Sequence, residues 1–211
     1  MNAALDLVTN AVRSLMFRLA KILNTVSGGK LSPNFITWLG FLMHVPIAWL
    51  IAFEKNELAA VLLVVFGLFD ALDGALAKVQ NKASDAGMVL DATTDRMKEV
   101  LLYTGAAFAI TAGDQPRMAA WAVAACGASL CVSYVKAKGE TALKASKLTP
   151  NEINRLFSDG FFRFQVRMLF LIVGLLSDQL VLALVVIAIG SALTAFSRLF
   201  TIQKKLRNVQ N

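Results

Sequence analysis

The chain has 211 residues, of which 57% are hydrophobic and only 17% are charged. Soluble domains carry about 25% charged residues, so this composition excludes an ordinary soluble protein and predicts an integral membrane protein. Lysine and arginine outnumber aspartate and glutamate by 21 to 14. On an apolar chain this excess favours contact with anionic lipids or anionic substrates, and we expect no nucleic acid partner. The two cysteines lie in one apolar run, which excludes a disulfide-stapled secreted fold.

The N-terminal segment predicts an amphipathic helix. Residues 1–24 place six apolar side chains at helical spacing: Leu5, Val8, Val12, Leu15, Leu19 and Ile22. Charged residues occupy the rest of the helical wheel and interrupt the apolar run that a signal peptide needs. We therefore expect residues 1–30 to form an interfacial helix and linker, followed by a membrane domain over residues 31–211.

Six segments of membrane-crossing length follow, allowing about 20 residues for each crossing. They lie near 34–53, 57–78, 87–112, 116–138, 160–177 and 179–202. Most connections are very short, so consecutive helices should be antiparallel. The longer connection 139–159 carries Thr149-Pro150-Asn151-Glu152, which predicts a short capped helix. The predicted fold is all-α and integral to the membrane, with six transmembrane helices after an N-terminal interfacial helix.

The basic residues predict the orientation of these helices. Of the 21 lysines and arginines, only Lys55 and Arg117 fall at predicted outer ends. Lys and Arg are retained preferentially on the cytoplasmic side of a membrane. Both termini, and the polar turn near residue 82, are therefore predicted to face the cytoplasm from the cell membrane.

Acidic residues in the second and third segments are the main anomaly, because ionisable residues inside a membrane are costly and usually functional. Asp70 and Asp73 are three residues apart and Asp91 and Asp95 four apart, so each pair shares a helix face. In an antiparallel hairpin centred near residue 82, the two pairs face each other. Four facing carboxylates repel unless they are protonated or bind cations. Oxygen ligands favour Mg²⁺, with Mn²⁺ or Ca²⁺ as alternatives, and two such ions suit phosphoryl transfer.

These aspartates stand in a longer pattern that resembles the signature of the CDP-alcohol phosphotransferases. The residues that match at the family spacing are Asp70, Asp73, Gly74, Ala77, Gly87, Asp91 and Asp95. Lys78 stands where the signature has arginine. The segment Ser32-Pro33-Asn34-Phe35-Ile36-Thr37 is similar to the Thr-Pro-Asn-x-x-Thr start of the family's first membrane helix. Six membrane helices after an interfacial helix also fit this family.

The resemblance implies that a CDP-linked lipid such as CDP-diacylglycerol gives its phosphatidyl group to a small alcohol, with release of CMP. It implies that two divalent cations, Mg²⁺ or Mn²⁺, bind four carboxylates, those of Asp70, Asp73, Asp91 and Asp95. The fourth of these, Asp95, would also take the proton of the acceptor hydroxyl. The residues that the resemblance places at the nucleotide are Asn34, Thr37, Gly74, Lys78 and Gly87. Because the family is usually dimeric, a homodimer is implied as well.

Further resemblances concern the acceptor alcohol. The segment 133–140 (SYVKAKGE) and the pair Thr194 and Arg198 are similar to parts of phosphatidylinositol-phosphate and archaetidylinositol-phosphate synthases, where basic residues meet the phosphate of the incoming inositol phosphate. Those enzymes also contain a Glu-Arg-x-Glu-Arg run, and in this chain only Arg167 is in register with it. The implied phosphate pocket contains Ser133, Lys136, Lys138, Arg167 and Arg198. Glycerol 3-phosphate is the alternative acceptor, and snorkelling to lipid headgroups is the alternative role for the lysines.

The aspartates also suit a second class of protein, a divalent-cation transporter or channel. Such a protein needs carboxylates near the middle of the membrane with access from both sides. Here the carboxylates are centred on a predicted cytoplasmic turn, which favours the transferase. Metal-dependent release of CMP from a CDP-lipid distinguishes the two classes.

Overall fold

The structure, a computed structural model, describes the backbone of residues 2–144 and 162–210 and the side chains of residues 11–143 and 162–207. Within these ranges the chain forms helices and short connections, and no strand is present. The helices are α1 (Asn2–Val26), α2 (Pro33–Ala52), α3 (Asn56–Gly67), α4 (Phe69–Val79), α5 (Asp85–Ala112), α6 (Ala120–Lys144), α7 (Phe164–Leu176) and α8 (Leu180–Gln210). A 3₁₀ turn, Pro116–Ala119, precedes α6. The predicted all-α class is confirmed.

Four helical stretches in the described residues are long and apolar enough to cross a membrane: Pro33–Ala52, Asn56–Val79, Pro116–Leu143 and Leu180–Arg207. Helix α5 lies at the predicted third crossing, but its charged residues set it apart from these four. Helix α7 has 13 residues, and the predicted fifth crossing begins at residue 160, outside the described residues. The total of six crossings therefore stays a prediction. The short helix predicted at 149–152 also lies outside the described residues.

The predicted second crossing is interrupted at one residue, Leu68, between α3 and α4. The N–H of Leu68 donates to the carbonyl of Val65 at 3.3 Å, a tighter 3₁₀-type turn. The N–H of Leu72 donates to the carbonyl of Leu68 at 3.1 Å, so the α-helix resumes at once. The interruption lies two residues before Asp70, which is in the first turn of α4.

The described residues form two compact units, of which the first joins residues up to Leu50 with Leu58–Leu102. In this unit α1 packs against α4, around a core of Ala20, Ile36 and Leu76. The amide of Gln80, just after α4, donates to Asn24 Oδ1 and to the carbonyl of Leu31, both at 2.9 Å. These contacts fix the helix that carries two of the four aspartates.

Helix α1 also has exposed apolar side chains. Leu15, Leu19 and Ile22 are 52%, 38% and 57% exposed. These three residues belong to the predicted lipid-facing stripe. The location of α1 at a membrane surface stays a prediction, as does the domain boundary at residue 30.

The second unit joins Ile51–Glu57 with the described residues from Tyr103 onward. In it α8 packs against both α6 and α7. A side chain on Gly174 would put its Cβ 2.3 Å from the Cβ of Ala183, so glycine allows α7 and α8 to touch. The turn between these helices includes Asp178 at φ 54°. Helix α6 ends at Lys144, beyond the predicted end at residue 138, and the buried Leu143 near its end packs against Ile202 of α8.

Candidate active site

The turn between α4 and α5 is built from local backbone contacts. Asn81 adopts a left-handed conformation, φ 53°, and the N–H of Lys82 donates to the carbonyl of Ala77 at 2.8 Å. The hydroxyl of Ser84 accepts from the N–H of Gly87 at 3.2 Å, as an N-cap residue does at the start of a helix. This turn is where the sequence predicts the centre of the hairpin.

Three of the four aspartates come together across the two helices. Asp70 of α4 and Asp91 and Asp95 of α5 each offer a carboxylate oxygen, and these oxygens all lie within 4.8 Å of one another. All three residues are half-buried. The Oδ1 atom of Asp91 is buried and has no hydrogen-bond partner among the described residues. A converging set of carboxylate oxygens, one of them unsatisfied, fits a hard divalent cation such as Mg²⁺ or Mn²⁺.

The fourth aspartate, Asp73, is held separately by α2. It is only 5% exposed, and its Oδ2 accepts a hydrogen bond from the hydroxyl of Thr37 at 2.5 Å. Thr37 is itself buried, and its hydroxyl also lies 3.3 Å from the carbonyl of Pro33. The structure therefore gives Thr37 a direct contact with an aspartate. The resemblance placed this threonine at the nucleotide.

Lys98 is a residue of this site to which the sequence assigned no role. Its side chain is fully buried, at 0% exposure. Its ammonium group donates to Oδ1 of Asp70 and, at 3.3 Å, to Oδ1 of Asp95. The available sequence signal is its position three residues after Asp95, which puts both side chains on one face of α5.

A second cation completes the surroundings of Asp95. The guanidinium of Arg96 lies 3.6 Å from Oδ2 of Asp95 and 3.4 Å from Oε2 of the fully buried Glu99. Both carboxylate oxygens of Asp95 therefore have a cationic neighbour, Lys98 on one side and Arg96 on the other. The orientation of this carboxylate is fixed before any ligand binds.

The two signature glycines differ in their surroundings. A Cβ on Gly87 would lie 3.3 Å from Ser84 Oγ and 3.6 Å from Asn34 Oδ1, so the side chain of Asn34 borders this glycine. A Cβ on Gly74 would meet no atom of the described residues within 4 Å, and Gly74 is exposed. Lys78, one helical turn further along α4, is also exposed. Two of the residues assigned to the nucleotide, Gly74 and Lys78, therefore lie on an exposed surface of the helix that carries Asp70 and Asp73.

The residues assigned to the acceptor phosphate all belong to the second unit. Arg167 and Arg198 are 1% and 8% exposed, and each donates to a backbone carbonyl, Arg167 to Phe162 at 2.7 Å and Arg198 to Val132 at 3.4 Å. The guanidinium of Arg198 lies within electrostatic range of two further arginines, Arg167 and Arg163, and of one acid, Glu140. The structure thus gathers cations at α7 and α8.

The other three acceptor candidates lie on α6. Lys136 and Lys138 are exposed, and Ser133 is half-buried. The ammonium of Lys136 lies 3.7 Å from Glu140, and that of Lys138 lies 5.9 Å from the ring of Tyr134. The two lysines therefore lie at the surface, whereas Arg167 of α7 and Arg198 of α8 are buried.

Comparison with known proteins shows which family the chain matches. Residues 30–196 match the family described as CDP-alcohol phosphatidyltransferase. The archaetidylinositol phosphate synthase of Pyrococcus horikoshii is 27% identical over 188 residues, which cover 89% of this chain and 92% of that protein.

Two crystal structures of the phosphatidylinositol phosphate synthase of Mycobacterium tuberculosis have the same fold. The structure with CDP-DAG bound superposes with a TM-score of 0.75 at 27% identity, covering 90% of this chain and 94% of the other. The complex with manganese and citrate gives 0.76 at 26% identity, covering 89% and 88%. With its apolar spanning helices and its aspartate signature, the chain belongs to the CDP-alcohol phosphatidyltransferase family and is a CDP-alcohol phosphotransferase of the membrane.

Proposed function

We propose that this enzyme transfers the phosphatidyl group of CDP-diacylglycerol to a phosphorylated polyol, with inositol phosphate as the first candidate, and releases CMP. The observation that carries the proposal is the convergence of the Asp70, Asp91 and Asp95 carboxylates within 4.8 Å. A relative of the same fold binds CDP-DAG, and two relatives are inositol phosphate-type synthases by name.

Two divalent cations, Mg²⁺ or Mn²⁺, are the cofactors of this proposal. The residues that would hold them are Asp70, Asp73, Asp91 and Asp95, whose donors are all hard carboxylate oxygens. The related synthase with manganese bound supports the same class of ion. Bound cations supply positive charge that polarises the pyrophosphate and stabilises the departing CMP.

The side chain of Asp95 is the proposed general base. Its carboxylate takes the proton of the acceptor hydroxyl, and the hydroxyl oxygen forms a bond to the phosphorus of the phosphatidyl group. The bond between that phosphorus and the bridging oxygen breaks, and CMP leaves with the electron pair. The guanidinium of Arg96 lies 3.6 Å from Oδ2 of Asp95, which favours a single orientation of this carboxylate for the proton transfer.

The nucleotide side of the substrate is assigned to the residues around α4 and the start of α5. Gly74 leaves open space beside Asp73, so the backbone of α4 is accessible to a phosphate group. Gly87, at the start of α5, lies beside the side chain of Asn34, at the start of α2. Lys78 adds an exposed positive charge on the same helix.

Buried arginines support a phosphorylated acceptor. Arg167 and Arg198 are buried within electrostatic range of each other. Like charges in a low-dielectric interior repel, and a phosphate group would add to the compensation that Glu140 provides within range of Arg198. Arginine also binds phosphate through two parallel hydrogen bonds. In this proposal the exposed Lys136 and Lys138, with Ser133, attract the acceptor from the cytoplasm.

The proposed setting is a homodimer in the cell membrane, with both termini and the active site facing the cytoplasm. The basic residues support this orientation, because Lys55 and Arg117 alone fall at the predicted outer ends. The exposed Leu15, Leu19 and Ile22 of α1 support contact of that helix with the membrane surface.

The test is CMP release by the purified enzyme in detergent with Mg²⁺ and CDP-diacylglycerol. The acceptors compared are inositol phosphate, glycerol 3-phosphate, inositol, serine and none. We expect release with inositol phosphate alone, and a higher inositol phosphate concentration for the same release in an Arg198→Gln variant. Release with glycerol 3-phosphate alone would replace the proposed acceptor. Absence of release with every acceptor would refute the proposed donor and acceptor pair.

A further inference from the structure

Lys98 is a buried cation that the proposed reaction does not require. Its whole side chain is enclosed in the first unit, at 0% exposure. An ionised lysine is almost never fully buried unless it is paired, because the loss of hydration is large. The pairing groups here are the carboxylates of Asp70 and Asp95. The lysine therefore depends on the same two acids to which the metal site is assigned.

The contacts of Lys98 overlap with those of the proposed cations. The oxygens of Asp70, Asp91 and Asp95 converge within 4.8 Å, and the ammonium group contacts two of these three residues. At Asp70 and at Asp95 the contact involves the Oδ1 atom. A carboxylate oxygen that accepts a hydrogen bond from an ammonium group is a poorer ligand for a divalent cation, because the two cations compete for the same oxygen.

We infer that Lys98 is a built-in counter-cation of the metal site. In the metal-free enzyme its ammonium group neutralises Asp70 and Asp95, and it gives up these contacts when a divalent cation binds them. The inference rests on the proposed metal site and adds a consequence for it. Lys98 lowers the affinity for divalent cations and stabilises the enzyme while the metal is absent.

A purely structural lysine predicts the opposite sign. If Lys98 only held Asp70 and Asp95 in place for the cations, its removal would leave these side chains less well oriented. Metal affinity would then fall. The direction of the change in affinity therefore separates a competing cation from a supporting one.

The experiment measures Mn²⁺ binding to the purified, chelator-treated enzyme in detergent, through the electron paramagnetic resonance signal of free Mn²⁺. Lys98→Met and Lys98→Gln remove the charge with little change in side-chain length, and Lys98→Arg retains it. Lys82→Met is the matched control, because Lys82 is exposed in the turn after α4 and has the same charge. Thermal unfolding with EDTA and with Mn²⁺ is the second measurement.

We expect Lys98→Met and Lys98→Gln to bind Mn²⁺ at least about tenfold more tightly than the parent enzyme, because a unit charge close to the ions is removed from a site of low dielectric. Lys82→Met, whose charge is exposed to solvent, should change the affinity by less than about twofold. Lys98→Arg should resemble the parent. In EDTA the two neutral variants should unfold at a lower temperature, and Mn²⁺ should raise this temperature more than it does in the parent.

Unchanged or weaker Mn²⁺ binding by the neutral variants would overturn the role of Lys98 while leaving the proposed metal site intact. Lack of Mn²⁺ binding by the parent enzyme would refute the metal site itself, and the inference with it. If neither neutral variant folds even with Mn²⁺ present, Lys98 is a structural residue and the inference is wrong.

Discussion

Replacing Gly74 by alanine separates the stability of α4 from its proposed contact with the nucleotide phosphates. Gly74 lies in the interior of α4, directly after Asp73. A Cβ at this position meets no atom of the described residues within 4 Å, so packing does not require glycine. In a helix interior, alanine is more stable than glycine by about 1 kcal/mol. We therefore expect Gly74→Ala to raise the unfolding temperature by about 2–4 °C, the shift that such a change produces in a chain of this size.

The same substitution should impair catalysis. The added methyl group occupies the open surface beside Asp73, where the backbone of α4 is proposed to receive the nucleotide phosphates. We expect kcat/KM for CDP-diacylglycerol to fall at least about tenfold, which corresponds to about 1.4 kcal/mol of lost binding to the transition state. The assay is CMP release at increasing CDP-diacylglycerol in mixed micelles, with thermal unfolding measured on the same preparations.

Gly127 provides the control for this experiment. It lies in the interior of α6, is exposed, and likewise has no described atom within 4 Å of an added Cβ. Gly127→Ala should therefore gain the same stability without loss of activity. A Gly74→Ala enzyme with the parent's kcat/KM would refute the proposed phosphate contact. A Gly74→Ala enzyme that unfolds at a lower temperature than the parent would refute the inference that a Cβ fits at this position without a clash.

Three further predictions concern the other parts of the site. Asp95→Asn should retain binding of Mn²⁺ and CDP-diacylglycerol but show no CMP release, and near-normal turnover would exclude Asp95 as the base. Thr37→Val should lower the free energy of unfolding by about 1.5–3 kcal/mol, because it removes a hydrogen bond to the buried carboxylate of Asp73; chemical denaturation measures the loss, which Thr37→Ser should restore. Arg198→Gln should raise KM for inositol phosphate at least about tenfold. Lys136→Gln, which removes an exposed charge, should raise it less than about threefold. Equal effects of the two variants in steady-state assays would contradict the distinction between buried and exposed cations.

The spacing of the aspartates was sufficient to predict most of the site, because helical periodicity determines which side chains share a face. Asp91 and Asp95 do share a face and converge with Asp70, whereas Asp73, which the hairpin pattern predicts to face Asp91, is not among the converging carboxylates. The partner of Asp73 was not predictable in this way. Thr37 precedes Asp73 by 36 residues, and their contact depends on how α2 packs beside α4. Periodicity within one helix contains no information about that packing.

The lengths of the apolar runs likewise predicted the helices better than their ends. The predicted crossing at 34–53 corresponds to Pro33–Ala52, and that at 87–112 to Asp85–Ala112. Helix α6 continues past its predicted end, since Leu143 gains a buried contact with Ile202 of α8. A polar segment therefore remains helical through a tertiary contact that its own composition does not predict.

Buried charges are where the sequence was most informative and least complete. Lys98 lies three residues after Asp95 on α5, but any of several nearby acids was compatible with this position as its partner. The structure selects Asp70 and Asp95, so the acidic centre includes its own cation. Arg198 in the second unit differs, because the charged groups within its range include two like-charged arginines, Arg163 and Arg167, and one acid, Glu140. The acidic centre thus includes its own counter-charge, and a phosphate group at the arginines would add to the negative charge of Glu140. This difference predicts that added inorganic phosphate stabilises the metal-free enzyme against thermal unfolding, and that Arg198→Gln reduces this effect; equal stabilisation of both proteins would count against a phosphate site at the arginines.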